Sequence, residues 1–286
     1  MVNKDVIFNR YISMKYSKDM FRNRPRAEIK NPRAPFHRCY RPVISGLSER
    51  NYLNDDCYAQ KPYSFTKAFL TLQKEIEELF LFVEPTYDNR NTYSYRIQQL
   101  LIRVCIELEA NFKAIMSENK YSKDSNWWDI NDYWKINASH KLSEYKVYMP
   151  NWEGDNKYFE PFAGWRKSPR LAWYRASQRT KHNRAAKLYE ANLENLMNAF
   201  CGLFVVVTAQ FGEMDYTTGP ILVSVSGKDS YYGCDFGIGN MLKPIYPEWS
   251  EEDKYIIDWA EVCESPDRFR KFDYDAVEDY KGELEV

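Results

Sequence analysis

The sequence lacks the patterns that mark several common classes of metal and cofactor site. Its six cysteines are scattered along the chain, and no two of them form a CxxC pair. His37 and Cys39 could begin a metal site, but no second half with suitable spacing follows. The segment GIGN at residues 237–240 lacks the third glycine and the strand-to-helix context of a dinucleotide-binding loop. We therefore predict neither a bound metal nor a cofactor.

Long hydrophobic runs are missing as well. The longest apolar stretch, residues 199–211, is interrupted by Gly, Thr and Gln, whereas a bilayer-spanning helix needs about 20 apolar residues. The N-terminus lacks the apolar core and the cleavage site of a signal peptide. These absences predict a cytoplasmic protein without membrane contact. The content of 44% hydrophobic and 16% aromatic residues predicts a folded core rather than a disordered chain.

Four segments repeat their apolar residues at the spacing of an amphipathic helix. They lie near residues 64–84, 92–118, 169–182 and 186–211. Side chains that recur in this way predict helices that each bury one face, and Ser64 is the expected N-cap of the first. The pattern predicts an all-α fold, with one four-helix bundle over residues 62–212.

Three further segments flank or interrupt the predicted bundle. Residues 1–61 are rich in proline and basic side chains, and predict an extended arm. Residues 119–168 form an insertion crowded with Trp and Tyr among lysines and asparagines. Residues 213–286 predict a small mixed extension with a short hairpin and an acidic helix, which the sequence SEED from Ser250 would cap.

The segment RASQRTKHNRAAKLYEAN, residues 175–192, concentrates positive charge in a chain whose formal net charge is −1. It carries five basic side chains and one of the three histidines of the chain. An arginine suits bidentate contact with phosphate oxygens, and a histidine suits proton transfer near neutral pH. We therefore predict Arg175 and His182 as catalytic residues that act on an anionic phosphate ligand. The predicted substrate-binding residues around them are Arg179, Lys181, Asn183 and Arg184.

The spacing of Arg175 and His182 places both side chains on one face of a regular helix. Seven residues fall only about 20° short of two full turns, but they separate the α-carbons by about 10 Å along the axis. Three arrangements would bring the groups to one ligand. The helix could loosen at Thr180, the arginine could extend along the surface, or a second subunit could complete the site.

Three other features bear on this site. Glu109 lies beside the apolar stripe of the second helix, so it either is partly buried and pairs with a cation such as Arg175, Lys181 or His182, or reaches solvent. The aromatic insertion fits either packing over the core or stacking of unpaired bases, and stacking would place it near His182. His140 is expected to be exposed or to cap a helix.

The chain resembles the HEPN superfamily of bacterial and archaeal defence ribonucleases and toxin partners. The resemblance rests on two long helix pairs and on the motif Arg175-ASQRTK-His182, which matches a signature of arginine, four to six residues, then histidine. The helix RIQQLLIRVCIELEANFKAI also resembles the first helix pair of such proteins. The family often places Asn, Asp or His directly after the arginine, where this chain has Ala176.

The resemblance implies a metal-independent endoribonuclease that cleaves single-stranded RNA as a homodimer, in a defence or toxin–antitoxin setting. His182 would assist proton transfer and Arg175 would stabilise charge on the phosphate. Control by a regulatory protein partner is also implied. The alternative is a non-catalytic HEPN-like module that binds nucleic acid or protein, and Ala176 keeps this alternative open.

Overall fold

Four long helices dominate the chain in a computed structural model, which describes residues 33–44, 51–214, 216 and 237–281. The described helices, in chain order, are α1 (Pro62–Leu79), α2 (Tyr95–Ser117), α3 (Ile130–Tyr133), α4 (Ile136–His140), α5 (Ala172–His182), α6 (Arg184–Lys187), α7 (Leu193–Phe211) and α8 (Trp259–Val262). The strands are β1 (Lys146–Tyr148), β2 (Tyr158–Phe159) and β3 (Lys243–Ile245). The chain is therefore mostly helical, as the sequence predicts.

Helices α2 and α7 run parallel at the centre of the core. At one end the Leu193 backbone N–H donates to the Thr92 carbonyl at 2.9 Å, and at the other the Gln210 amide donates to Asn111 at 2.8 Å. Helices α1 and α5 pack against this pair in the opposite direction, and Phe69 of α1 stacks on α7. We call the end where α1 and α5 finish and α2 and α7 begin the basic end.

Helix α7 is almost wholly enclosed. It is long and apolar enough to cross a bilayer by length and composition, but 83% of the qualifying 18-residue window is buried inside the protein. Its residues pack against α1, α2 and α5, so its apolar character is explained by its central position. Gly212 ends the helix with a φ of 60°, a conformation that favours glycine.

The helix boundaries differ from the predicted ones at several points. Helix α1 begins at Pro62, which suits a first helical position, so Ser64 is not its N-cap. The last predicted helix, near residues 186–211, is broken close to its start, because Ala191 leaves helical geometry with φ −81° and ψ 65°. The short helix α6 and a 3-10 turn at Leu188–Glu190 precede this break, and α7 starts only after Asn192 caps it.

A three-stranded antiparallel sheet corrects the predicted all-α class. Its strand order is β2-β1-β3, with Val147 opposite Phe159 and Lys146 opposite Ile245. Two of the strands belong to the insertion, which also contains α3 and α4. The insertion packs through its aromatic rings, since Trp165 lies 5.6 Å from Phe112 of α2 between ring centroids. Packing over the core is thus its main structural role.

The acidic helix predicted from Ser250 does not form. Residues 251–254 make a turn in which the Ser250 hydroxyl accepts from the Asp253 backbone N–H at 3.3 Å. The chain then pairs with the N-terminal segment, because Tyr255 donates its backbone N–H to the Pro42 carbonyl. Tertiary backbone pairing therefore replaces helix propagation here. The predicted hairpin falls largely on residues 217–236, which lie outside the described residues.

The described part of the N-terminal arm is not a solvated extension. Arg38 and Arg41 are 1% and 7% exposed, and both lie among residues distant in the sequence. Arg33 and Ile256 form an antiparallel bridge, and Val43 pairs with Tyr255. Residues 33–44 are thus built into the core between the long helices and the C-terminal region.

His140, at the end of α4, lies in a buried polar network, so the expected alternative of an exposed side chain is wrong. Its Nε2 donates to the Arg38 carbonyl at 2.8 Å, and its Nδ1 lies 2.7 Å from the Ser139 hydroxyl. The Tyr274 hydroxyl lies 2.8 Å from that same serine oxygen. Burial lowers the pKa of His140 to about 4, and the neighbouring charge of Arg41 lowers it further. The network is therefore built around a neutral imidazole.

Acid should destabilise the protein through His140. An unfolded histidine has a pKa of about 6.5, so between that pH and about 4 the unfolded chain binds more protons than the folded chain. The stabilisation is complete above about pH 6.5 and is lost as the pH falls, by roughly 3 kcal/mol in total. The free energy of unfolding, measured with urea at several pH values across this range, should fall less steeply with decreasing pH in His140→Gln than in the wild type. An equally steep fall in both proteins would contradict the assignment.

Candidate functional site

The sequence of α5 separates a buried face from a basic face. Trp173, Ala176 and Thr180 recur at helical spacing and are at most 4% exposed. Arg175 and His182 lie on the exposed face, together with Arg179. The position after Arg175 thus points into the core, where a small side chain fits. In this fold Ala176 is explained by packing, because the residue at that position does not face the ligand side of the helix.

The predicted site residues form one open surface along α5 and α6, which we call the basic stripe. All six are exposed: Arg175, Arg179, Lys181, His182, Asn183 and Arg184. Arg179 pairs with Glu190 at 3.5 Å, and the Arg184 guanidinium lies 5.2 Å from the Tyr95 ring centroid. Among the described residues, Arg175 and His182 have no side-chain partner. Both are therefore open to a ligand.

The helix does not loosen between the two predicted catalytic residues. Residues 172–182 form one continuous α-helix, and the Asn183 backbone N–H still donates to the Arg179 carbonyl at 2.8 Å. The Thr180 carbonyl accepts from the buried Gln98 side chain at 2.8 Å, which fixes α5 against α2. The break falls at Asn183, just beyond His182. Loosening at Thr180 is thus wrong, and extension of the arginine or a second subunit remains to bring the two groups to one ligand.

Glu109 lies beside α5 without an ionic partner among the described residues. Its carboxylate is half-buried and accepts from the Tyr174 hydroxyl at 2.7 Å and from the Gln178 amide at 3.4 Å. Burial raises the pKa of Tyr174, and the hydrogen bond and charge of Glu109 raise it further. Of the two alternatives that the sequence left open, partial burial is observed, but without the cationic partner that was expected to accompany it. Glu109 therefore braces the flank of α5, and the basic stripe does not serve to neutralise it.

The insertion meets α5 at its first turn, far from His182. Trp173 donates its ring N–H to the Pro161 carbonyl at 2.8 Å, and Phe162 lies 5.8 Å from the same ring. Most of its large rings are buried or half-buried, with Trp127 and Tyr158 as exposed exceptions. At Glu153 the insertion also reaches the loop between α1 and α2. No described contact brings its aromatic rings to the basic stripe.

The exposed rings next to the basic stripe come instead from residues that the sequence reasoning missed. Tyr93 and Tyr95 precede and begin α2, and Tyr189 lies in the 3-10 turn before α7. Each is 53–58% exposed. The available signal was YSY, in which Ser94 is the N-cap of α2 and has a tyrosine on each side.

Metal ligands are not grouped in the described part of the chain, since no three His, Cys, Asp or Glu side chains there could hold one ion. Comparison of the chain with protein-family models, curated proteins and solved structures gave no match. The argument for a function therefore depends on the geometry and chemistry of the basic stripe.

Proposed function

We propose that the chain is a metal-independent endoribonuclease with a HEPN-like four-helix bundle, and that it cleaves single-stranded RNA at the basic stripe. The observation that carries the proposal is the exposure of Arg175 and His182 and their lack of a carboxylate partner among the described residues. Both are exposed on one face of α5, and neither is neutralised by a carboxylate among the described residues. Exposed cations without a structural partner suit an anionic ligand, and a histidine among them adds proton transfer.

The proposed reaction uses only the ribose and the phosphate of the substrate. His182 accepts the proton of the 2′-hydroxyl, whose oxygen attacks the adjacent phosphorus. The bond to the 5′-oxygen breaks, and that oxygen takes its proton from the protonated imidazole of a second His182, supplied by another copy of the chain. Arg175 stabilises the added charge on the phosphate oxygens in the transition state. The products are a 2′,3′-cyclic phosphate and a 5′-hydroxyl, so no metal or cofactor is needed.

A homodimer supports this chemistry better than a single chain does. Arg175 and His182 of one chain are separated by about 10 Å along α5, and the helix between them is regular. In a symmetric dimer the two copies of the basic stripe would face each other. His182 of the second chain would then protonate the leaving oxygen. We place the protein in the cytoplasm, in a bacterial defence or toxin–antitoxin setting, under the control of a protein partner.

The alternative is a non-catalytic module that binds RNA or a protein through the same stripe. The observation that favours it is the same axial separation, because a binding surface does not require Arg175 and His182 to reach one phosphate. In that case the stripe would hold successive phosphates without breaking a bond.

Cleavage of unpaired RNA in the presence of a chelator tests the proposal. The wild-type chain should cut a single-stranded RNA in excess EDTA and leave 2′,3′-cyclic phosphate ends. An otherwise identical strand with one 2′-deoxyribose should resist cleavage at that position only, because the attacking hydroxyl is missing. Absence of cleavage would favour the binding module, and cleavage that EDTA abolishes would rule out the metal-independent reaction.

A further inference from the structure

Exposed tyrosine rings are concentrated at the basic end of the bundle. Tyr93 and Tyr95 flank the N-cap of α2, and Tyr189 precedes α7. More than half of each residue is exposed to solvent. Single exposed apolar residues are common, but several rings beside unpaired cations are characteristic of surfaces that bind nucleic acid. We call these three residues the tyrosine surface.

Backbone hydrogen bonds hold the two parts of the tyrosine surface side by side. Tyr93 and Asn192 form an antiparallel bridge. The Leu193 N–H donates to the Thr92 carbonyl at 2.9 Å, and the Glu194 N–H donates to the Arg90 carbonyl at 2.9 Å. The loop that carries Tyr93 therefore lies along the start of α7, and its bridge partner Asn192 is three residues after Tyr189. The rings project from a fixed backbone, which reduces the entropy that a ligand must remove on binding.

Cations stand beside these rings. The Arg184 guanidinium lies 5.2 Å from the centroid of Tyr95, and the Lys187 ammonium lies 5.6 Å from that of Tyr189. Glu190 pairs with Lys187 at 3.2 Å, so part of that positive charge is neutralised. Arg184 has no carboxylate partner among the described residues. A phosphate can thus meet Arg184 while a base occupies the open face of the neighbouring ring.

We propose that Tyr93, Tyr95 and Tyr189 stack the unpaired bases of single-stranded RNA whose phosphates lie on the basic stripe. The proposal takes its ligand, RNA, from the proposed function, but it concerns binding and not cleavage. Every base has a face that can stack on a tyrosine, so recognition should tolerate any sequence. The bases of a duplex are already stacked on each other, so duplex RNA should bind weakly.

Binding of an uncleavable probe to the intact chain tests the tyrosine surface. The probe is a short fluorescein-labelled single strand of 2′-O-methyl RNA, which lacks the attacking hydroxyl, and its abasic counterpart keeps the same phosphates. Tyr95→Ala and Tyr189→Ala should each weaken binding of the first probe about tenfold and leave the abasic probe unchanged. Tyr95→Phe and Tyr189→Phe keep the rings and should bind within about twofold of the wild type. Tyr158→Ala, which removes a ring 50% exposed on β2, is the matched control.

The outcomes separate this proposal from the nuclease proposal. Ala variants that bind the base-bearing probe as the wild type does overturn the tyrosine surface, even if His182 variants lose cleavage. Equal losses for both probes also overturn it, because the rings would then act on the backbone alone. A wild-type chain that binds neither probe overturns it as well. Losses confined to the base-bearing probe support it, even if the wild type never cleaves RNA.

Discussion

Replacing His182 by alanine should abolish cleavage of single-stranded RNA without changing the thermal unfolding of the protein. The side chain is exposed, and among the described residues it contacts no partner, so its removal costs little packing. Arg175→Ala should lower the rate by about 100-fold or more, as expected when a charge partner of the transition state is lost. A gel assay of a labelled RNA and a thermal melt on the same preparations measure both quantities.

The matched control for these variants is Lys113→Ala, which removes one exposed cation from the solvent side of α2. It changes the net charge as Arg175→Ala does, but it lies outside the basic stripe. If Lys113→Ala reduced cleavage as strongly, the effect would come from general electrostatic attraction to RNA. A folded His182→Ala protein with undiminished cleavage would end the catalytic proposal. The binding-module alternative instead expects an inactive wild type and weaker RNA binding in the Arg175 variant.

Replacing Arg38 by leucine should destabilise the protein by roughly 3–5 kcal/mol, the usual effect of leaving one partner of a buried ion pair alone. The arginine is 1% exposed. It donates to Glu118 at 2.5 Å and to Gln210 at 2.9 Å, and the Phe65 ring centroid lies 4.4 Å from its guanidinium. Its removal leaves the Glu118 carboxylate mostly buried without its charge partner, and leaves Gln210 without a donor.

Urea unfolding of three proteins isolates the ionic part of this loss. Glu118→Gln keeps a hydrogen-bond acceptor for Arg38, and the double variant Arg38→Leu with Glu118→Gln removes both charges. The double variant should be more stable than Arg38→Leu alone, because it contains no unpaired buried charge. A loss below about 1 kcal/mol in Arg38→Leu would show that water reaches the Glu118 carboxylate in the folded chain.

Periodicity predicted the four long helices because each of them buries one continuous stripe. It failed at boundaries that tertiary contacts decide. Ser250 makes the local hydrogen bond of a helix start, but Tyr255 is drawn into backbone pairing with Pro42, and the helix does not continue. The sequence also gave no sign that arginines of the basic, proline-rich arm are buried. Arg38 finds its partners on α2 and α7, which no local pattern can reveal.

The sequence predicts that the basic side chains of α5 are exposed, because the apolar side chains on the opposite face of that helix are buried. It does not predict in the same way which side chains contact the basic stripe. The sequence left open whether Glu109 pairs with a cation or reaches solvent, and instead its carboxylate accepts a hydrogen bond from the Tyr174 hydroxyl on α5. The tyrosines beside the stripe were missed because only a tertiary bridge, between Tyr93 and Asn192, holds the loop before α2 against the segment that follows Tyr189. The exposure of a side chain can thus be predicted largely from the sequence of its own helix, whereas the residues that it contacts depend on the tertiary fold.

A ribosome makes residues 33–44 long before it makes the residues that they pair with. The Ile44 N–H donates to the Tyr255 carbonyl, and the Tyr255 hydroxyl donates to the Cys39 carbonyl at 2.7 Å. By contrast, α1, α2, α5 and α7 find their main partners within residues 62–211, so they can assemble while synthesis continues. The pairing of residues 33–44 with Tyr255 therefore forms late, whereas the contacts of Arg38 with Glu118 and Gln210 can form earlier. Because these contacts join residues far apart in the sequence, we expect residues 33–44 to become ordered after the four long helices.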